Sequence, residues 1–227
     1  MKYVFLHIEK TAGTSLVSYF EKEFGNDFIY IHPSELPKLK QSGVLDKKIM
    51  IAGHITMKDI YNYFPNRKII TFLRKPNDRV VSFYNFVKNN LETEDYITQI
   101  SKTNQLSDFL KYCQQKNDRR FLNGIVHKLN SDLNIKNSLH SAMLNLNTID
   151  YIGFQETFDE DLYELSEKYN FHKPKTIPKK NITPNKGSNK QLDDNTLKIL
   201  SELNNEDNIL YKKALELKPT KEGEVTK

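Results

Sequence analysis

Tyr3-Val4-Phe5-Leu6-His7-Ile8-Glu9-Lys10-Thr11-Ala12-Gly13-Thr14-Ser15 begins as a compact β-branched and aromatic run and ends in a short loop with one glycine. From Ser15 to Phe24 the apolar residues Leu16, Val17, Tyr19, Phe20 and Phe24 fall at helical spacing, so the whole stretch reads as strand, loop, helix. Such a junction gathers unpaired backbone N–H groups and the positive end of a helix dipole at one point, which suits an anion. Gly13 lets a backbone approach a ligand, Thr14 and Ser15 offer hydroxyls, and Lys10 adds a mobile positive charge. The alternative for the same residues is an ordinary helix start beside a surface lysine.

Working outward, Phe28–Ile31, Lys48–Ala52 and Lys68–Leu73 are further short apolar runs, separated by segments of helix length around Glu35–Gln41 and Met57–Tyr63. Strands alternating with helices predict an α/β fold of three layers, phosphate-loop-like, with a central parallel sheet and helices on both faces. Lys75-Pro76-Asn77-Asp78 signals a turn and a helix start, continued from Arg79 to Asn89. Residues 92–147 read as a helical insertion with helices near 105–115, 118–129 and 133–146. Thr148–Phe154 reads as a late strand, Asp159–Tyr169 as a helix, Phe171–Lys190 as a basic loop and 192–217 as a last helix. The expectation is one domain over 1–217 and a disordered tail at 218–227.

Composition bounds the rest. A chain of 227 residues with 37% apolar content, 13 Phe and 12 Tyr can bury a real core. The net charge of +5 fits an anionic ligand without selecting one. Only five of the 34 basic residues are Arg (67, 74, 79, 119 and 120), so Arg74 and Arg79 stand out as a close pair able to fork onto phosphate oxygens. The single Cys113 excludes an intrachain disulfide and a cysteine-cluster metal site, and reads as a small apolar residue. No His or carboxylate spacing marks a metal site. Glu92/Glu94/Asp95 and Asp159/Glu160/Asp161 read as solvated faces or helix starts. No run approaches the ~18 apolar residues of a membrane span, and the opening run is too short for a secretion signal. The expected location is cytoplasmic, with a peripheral place at a membrane left open.

A second element sharpens the first. In Phe72-Leu73-Arg74-Lys75-Pro76-Asn77-Asp78-Arg79-Val80-Val81-Ser82-Phe83-Tyr84, an arginine at the carboxyl end of a strand and a serine two turns into the next helix can converge on one phosphate. Arg79 is read two ways, as a ligand contact or as a salt-bridge partner holding the turn.

Together, His-Ile-x-Lys-Thr-Ala-Gly-Thr-Ser after the first strand and Leu-Arg-x-Pro-x-x-Arg-x-x-Ser-x-Tyr after a later one resemble the carbohydrate sulfotransferases of family 2. That group includes heparan sulfate 2-O-sulfotransferase and bacterial relatives. Gly53-His54, Arg120-Phe121-Leu122-x-Gly124, Ile152-Gly153-Phe154-x-Glu156 and the loop Asn181–Lys186 add to the resemblance, which reaches about residue 190. It implies transfer of a sulfuryl group from 3′-phosphoadenosine 5′-phosphosulfate (PAPS) to a glycan or glycolipid hydroxyl, with no metal. By the resemblance Lys10, Thr11, Ala12, Gly13, Thr14 and Ser15 would hold the 5′-phosphosulfate. Arg74 and Ser82 would bind the 3′-phosphate, and Lys186 would close over the nucleotide beside Asn181 and Thr183. The chain departs from the animal enzymes at two places: Ala52 stands where they have the first histidine of His-Gly-His, and Glu9 stands where they usually have proline.

Charge grows on the leaving phosphate as its bond to sulfur breaks, so cationic help is useful, and Lys10 is the choice for that role. For the acceptor proton His54 leads, because it follows the third strand at the same sheet edge as Lys10 and Arg74; Glu9 is second, and transfer without a protein base is third. Two rival readings stand beside this one. A Mg²⁺-dependent phosphate-loop kinase would share the strand, loop and helix, but the Walker order places lysine after the last glycine, whereas Lys10 precedes Gly13. A non-enzymatic binder of nucleic acid or anionic surfaces would use Lys173–Lys190, but that run lacks interleaved aromatics, so no nucleic-acid partner is expected. The acceptor pocket is expected from 92–147 and part of 30–65.

Overall fold

The computed structural model describes residues 1–89, 96–132, 138–174 and 192–218. Five strands, β1 (Tyr3–Leu6), β2 (Phe28–Ile31), β3 (Met50–Gly53), β4 (Lys68–Leu73) and β5 (Tyr151–Phe154), form one sheet in the order β2-β3-β1-β4-β5, every pair parallel. Alternation along the strands divides two cores. Val4, Leu6, Ile51, Ile69 and Leu73 face one layer, and Tyr3, Phe5, Met50, Ile70 and Phe72 face the other. Both faces are therefore apolar, as a parallel sheet between helices requires.

The second face is covered by α1 (Gly13–Phe24) and α10 (Phe158–Tyr169), through Leu16, Phe20, Leu162 and Leu165. Between β2 and β3 lie the short α2 (Leu36–Gln41) and α3 (Val44–Lys47), and α4 (Met57–Tyr63) links β3 to β4. Helix α4 starts on a capping box, with the Thr56 hydroxyl accepting from the Asp59 N–H while Asp59 accepts from the Thr56 N–H. At the opposite sheet end Arg67 donates to the carbonyls of Tyr3, Leu45, Lys48 and Ile49, a staple that no sequence pattern marks.

After β4 comes α5 (Pro76–Asn89), three residues longer at its start than predicted because Pro76 occupies the first turn, where its missing N–H costs nothing. The inserted region holds α6 (Tyr96–Thr103), α7 (Leu106–Gln115), α8 (Gly124–Leu129) and α9 (Ser138–Leu146) among the described residues. The helix expected over 118–129 begins only at Gly124. Asn123 is left-handed (φ 46°), and Asp118 is turned back onto Arg120. Phe109, Cys113 and Phe121 pack with Val80, Phe83 and Tyr84 of α5, so this region has a shared core with the helix behind the site. Cys113 is fully buried there.

The helix expected over 192–217 is two, α11 (Asp194–Leu203) and α12 (Asn205–Leu217), broken at Asn204, whose buried side chain donates back to the Leu200 carbonyl. Asp161, expected on a solvated face, is buried instead and accepts from the Phe154 N–H and the Thr157 hydroxyl, tying β5 to α10. The Glu92/Glu94/Asp95 cluster, the Asn181–Lys186 loop with Lys186, and tail residues 219–227 lie outside the described residues. None of the described helices is long and apolar enough to cross a membrane.

Candidate active site

The chain leaves β1 toward the β2 edge and leaves β4 toward β5, so the strand order switches between β1 and β4. Open α/β sheets place ligands at such a point, beyond the carboxyl ends of the strands. The loop from His7 to Ala12 emerges there, with Arg74 beside it.

Helix α1 begins uncapped. Its N-cap is Ala12, which has no side-chain acceptor, and no acidic residue lies in the first turn. The first-turn N–H groups and the helix dipole therefore lack a negative partner from the chain. Lys10 and Ala12 both sit at φ 68°, a left-handed conformation that costs a residue with a Cβ about 1–2 kcal/mol. Strain in two residues of one short loop at a helix start marks a place where shape outweighs stability.

Gly13 has a reason other than ligand approach. A Cβ there would stand 1.7 Å from Nε2 of His7, so the glycine makes room for an imidazole packed under the helix start. Gly53 is explained in the same way, since a Cβ would lie 2.4 Å from the Ile31 carbonyl oxygen of β2. Within the loop, Thr11 is buried and donates to the Ile8 carbonyl at 2.8 Å, which leaves its side chain to shape the loop rather than face a ligand. Ser15 is buried at the first turn, and Thr14 is exposed.

Lys10 and Arg74 meet here. Arg74 Nη1 donates to the Lys10 carbonyl at 3.3 Å, while its buried Nε has no acceptor among the described residues. The Lys10 ammonium lies 4.1 Å from the ring centroid of Phe86, one helical turn beyond Ser82 on α5. Burial, and then the neighbouring Arg74 guanidinium, hold the Lys10 ammonium down to about 8. The turn carrying Arg74 is held by Glu156, which accepts from the Lys75 N–H at 2.8 Å and from the Tyr211 hydroxyl at 3.0 Å. Gly153 is required because a Cβ would meet the Phe72 ring at 2.4 Å. Ile152-Gly153-Phe154-x-Glu156 is thus a support for the site.

On the β3 side His54, His7 and Glu9 come together. The rings of His7 and His54 stack with centroids 4.1 Å apart, and His7 Nδ1 lies 3.0 Å from the Tyr30 hydroxyl. His54 Nδ1 is 2.8 Å from the His7 carbonyl oxygen and 3.6 Å from Glu9 Oε1. Because a carbonyl only accepts, Nδ1 carries the proton, and Nε2 of the neutral ring is left with its lone pair. No hydrogen bond engages Nε2 among the described residues, and the side chain keeps 36% exposure. Burial lowers the affinity of His54 for a proton, opposed by Glu9. His7 is buried far enough to be pushed down to about 2, with His54, Lys128 and Lys10 adding to the effect, so it is neutral and structural.

Glu9 and Lys128 form an ion pair at 3.2 Å, and Lys128 also donates to the His54 carbonyl at 2.7 Å. Burial opposes charge on Glu9, but Lys128, His54, a backbone hydrogen bond to the carboxylate and Arg79 together outweigh it and hold its carboxyl below the usual range. An ionised, ion-paired carboxylate is a weak base. Lys128 went unnoticed in the sequence; its only signal is a lysine on a short helix in the inserted region, and that is too common to single out.

Arg79 resolves toward structure. It is fully buried, donates to the Arg120 carbonyl at 3.0 Å and lies 3.7 Å from Asp207. Asp207 in turn accepts from the N–H groups of Ile125 and Val126 at the start of α8. A Cβ on Gly124 would stand 2.5 Å from Arg79 Nη2, which accounts for the glycine in Arg120-Phe121-Leu122-x-Gly124. Beside this core a cavity of about 180 Å³ is lined by Glu9, Asp118, Arg119, Arg120, Gly124, His127 and Lys128. Asp118 pairs with Arg120 and Glu9 with Lys128, whereas no ion pair is formed by Arg119 among the described residues. No group of three metal-ligating side chains is placed to hold an ion among those residues.

A family model described as the sulfotransferase family matches residues 1–214. Among solved structures, mouse sulfotransferase SULT7A1 complexed with PAP is 16% identical with a TM-score of 0.46; the match covers 73% of this chain and 58% of that one. A sulfotransferase from Alicyclobacillus acidocaldarius is 10% identical with a TM-score of 0.49, over 95% of this chain and 96% of that one. No curated protein matches the sequence.

Proposed function

This chain belongs to the sulfotransferase family, and from that premise we propose that it moves a sulfuryl group from PAPS to a hydroxyl of a glycan or glycolipid. The observation that carries the nucleotide reading is the uncapped start of α1 beside Arg74, a half-buried guanidinium at the strand-order switch whose buried Nε meets no acceptor among the described residues. The first-turn N–H groups of α1 and Lys10 serve the 5′-phosphosulfate, while Arg74 and Ser82 serve the 3′-phosphate that separates PAPS from common nucleotides. Thr11 contributes through its backbone, since its hydroxyl is committed to Ile8. Lys186 completes the set from outside the described residues.

In the reaction the acceptor oxygen forms a bond to sulfur as the bond from sulfur to the phosphate oxygen breaks. The electron pair of that bond stays on the phosphate, giving adenosine 3′,5′-bisphosphate. The acceptor proton passes to Nε2 of His54, and Lys10 balances the charge growing on the leaving phosphate. A preorganised donor in that position is worth about 3 kcal/mol. The acceptor enters by the cavity between Glu9 and α8, where Arg119, which forms no ion pair among the described residues, stands beside His127 and favours a hydroxylated acceptor that carries negative charge. Family membership weighs against the kinase and against the nucleic-acid binder.

Labelled sulfate from PAPS, offered with a panel of neutral and acidic polysaccharides, tests the proposal. Label in polysaccharide together with equimolar adenosine 3′,5′-bisphosphate supports it. Stabilisation against heat by ATP with Mg²⁺ and none by adenosine 3′,5′-bisphosphate overturns it.

A further inference from the structure

Glu9 lies on the loop after β1, His54 at the end of β3 and Lys128 on α8, three elements distant in sequence that meet at one side of the site. From their geometry we infer that Glu9 is a positioning residue for His54, held in place by Lys128. The inference rests on the reading of His54 as the base.

Lys128 makes two contacts at once, with the carboxylate of Glu9 at 3.2 Å and the backbone carbonyl of His54 at 2.7 Å. It therefore ties the loop after β1 to the loop after β3. The tether leaves Glu9 Oε1 3.6 Å from His54 Nδ1, on the side of the ring that already donates to the His7 carbonyl. When Nε2 takes the acceptor proton the ring becomes an imidazolium, whose original Nδ1–H stays between the His7 carbonyl oxygen and the Glu9 carboxylate. That arrangement favours one tautomer before transfer and the charged ring after it, the part played by the buried carboxylate in a Ser-His-Asp triad.

The other groups facing His54 do not replace Glu9. His7 stacks on it as a neutral ring, and Tyr30 meets it edge-on with centroids 6.2 Å apart. Lys128 and His32 act on it as positive charges that oppose its protonation. Glu9 is the one carboxylate near the ring in the described residues, in a position where the animal family members usually carry proline. The cavity is lined by Glu9 and Lys128. A carboxylate already bound to a lysine is poorly suited to accept a proton from substrate and well suited to stay charged beside one that does.

The experiment follows His54 directly in the full chain by NMR titration of ¹⁵N-labelled histidine and records kcat against pH, for wild type, Glu9→Gln, Lys128→Met and the double variant. Glu9→Gln is expected to lower kcat at least about tenfold and to move the His54 midpoint and the acid limb of kcat to lower pH by about one pH unit. The KM for PAPS should stay within about twofold, because Lys10 and Arg74 remain in place. In the Lys128→Met background the same glutamate substitution should move the midpoint by less than half as much, since the carboxylate is no longer held near the ring. A midpoint untouched by Glu9→Gln, or an equal shift with and without Lys128, overturns the inference. Amide spectra confirm folding, and Glu9→Asp, which keeps the charge but shortens the reach, provides a second route should Glu9→Gln fail to fold. His54→Ala with wild-type turnover would instead remove His54 as the base, while the titration would still report whether Glu9 and His54 are coupled.

Discussion

The Nδ1 atom of His54 lies 2.8 Å from the carbonyl oxygen of His7, so the proton of the neutral ring is fixed on Nδ1 and the lone pair is left on Nε2. A base needs that tautomer before it can act. Burial keeps His54 below its ordinary value, and the Lys10 ammonium is held down to about 8.

These two groups define a pH window. As pH falls through the His54 value the ring becomes charged and transfer slows; as pH rises past about 8, free Lys10 loses its proton. The expected kcat/KM for PAPS is bell-shaped with its alkaline limb near the Lys10 value, because that ratio reports the free enzyme. In kcat the alkaline limb should move to higher pH, since a bound anion favours the charged lysine. An alkaline limb at the same pH in both profiles would count against contact between Lys10 and the phosphosulfate.

Gly13→Ala should force the His7 ring out of its place, since the new Cβ would stand 1.7 Å from Nε2. The expected cost is about 1–3 kcal/mol in denaturant unfolding, with lost turnover as the stack on His54 is disturbed. Combining it with His7→Ala should cost clearly less than the sum of the two changes. Strict additivity would show that the clash is not the reason for the glycine.

His7 also makes stability depend on acid. Its folded value is about 2 and its unfolded value about 6.5, so below pH 6.5 the unfolded chain takes up a proton that the folded chain refuses. Stability is then expected to fall on acidification from pH 7 to 5, by up to about 1.4 kcal/mol per pH unit from this residue. His7→Phe should flatten that slope, read from unfolding midpoints across the range; an unchanged slope would exclude His7 as its source.

Arg79→Met should appear in stability rather than in nucleotide binding. Removing the guanidinium strands Asp207, which is fully buried and caps α8, at a cost of about 3–5 kcal/mol. Denaturant unfolding should show this loss, while the folded fraction keeps the wild-type affinity for adenosine 3′,5′-bisphosphate. A weakened affinity with unchanged stability would return Arg79 to the ligand.

The sheet and its order of strands and helices were legible because β1, β2 and β4 are short apolar runs between clear helical periods. The strand, loop and helix at the start of the chain were legible from an apolar run ending at one lysine and one glycine, but the role of Gly13 was not. The ring it accommodates belongs to His7, and only packing puts a side chain six residues away against that position. Asp161 looked like a solvated helix start because its partners, the Phe154 N–H and the Thr157 hydroxyl, come from the strand end and turn that precede the helix. The break at Asn204 was hidden for a similar reason, because apolar periodicity runs on through it while a side chain bonds to the previous turn. Lys128 was invisible because its contacts with Glu9 and the His54 carbonyl depend on three chain segments meeting, which local pattern does not encode.

If the uncapped start of α1, Lys10 and Arg74 form a site for a nucleotide with a 3′-phosphate, that phosphate should add to affinity through Arg74. Calorimetric titration with adenosine 3′,5′-bisphosphate and with adenosine 5′-monophosphate, on wild type and Arg74→Met, tests it most directly. The expected result is a wild-type preference of at least about tenfold for the bisphosphate, as charged hydrogen bonds worth about 1.5–3 kcal/mol would give, and loss of that preference without Arg74. Equal affinity of the wild type for the two nucleotides would mean that no 3′-phosphate site exists beside Arg74.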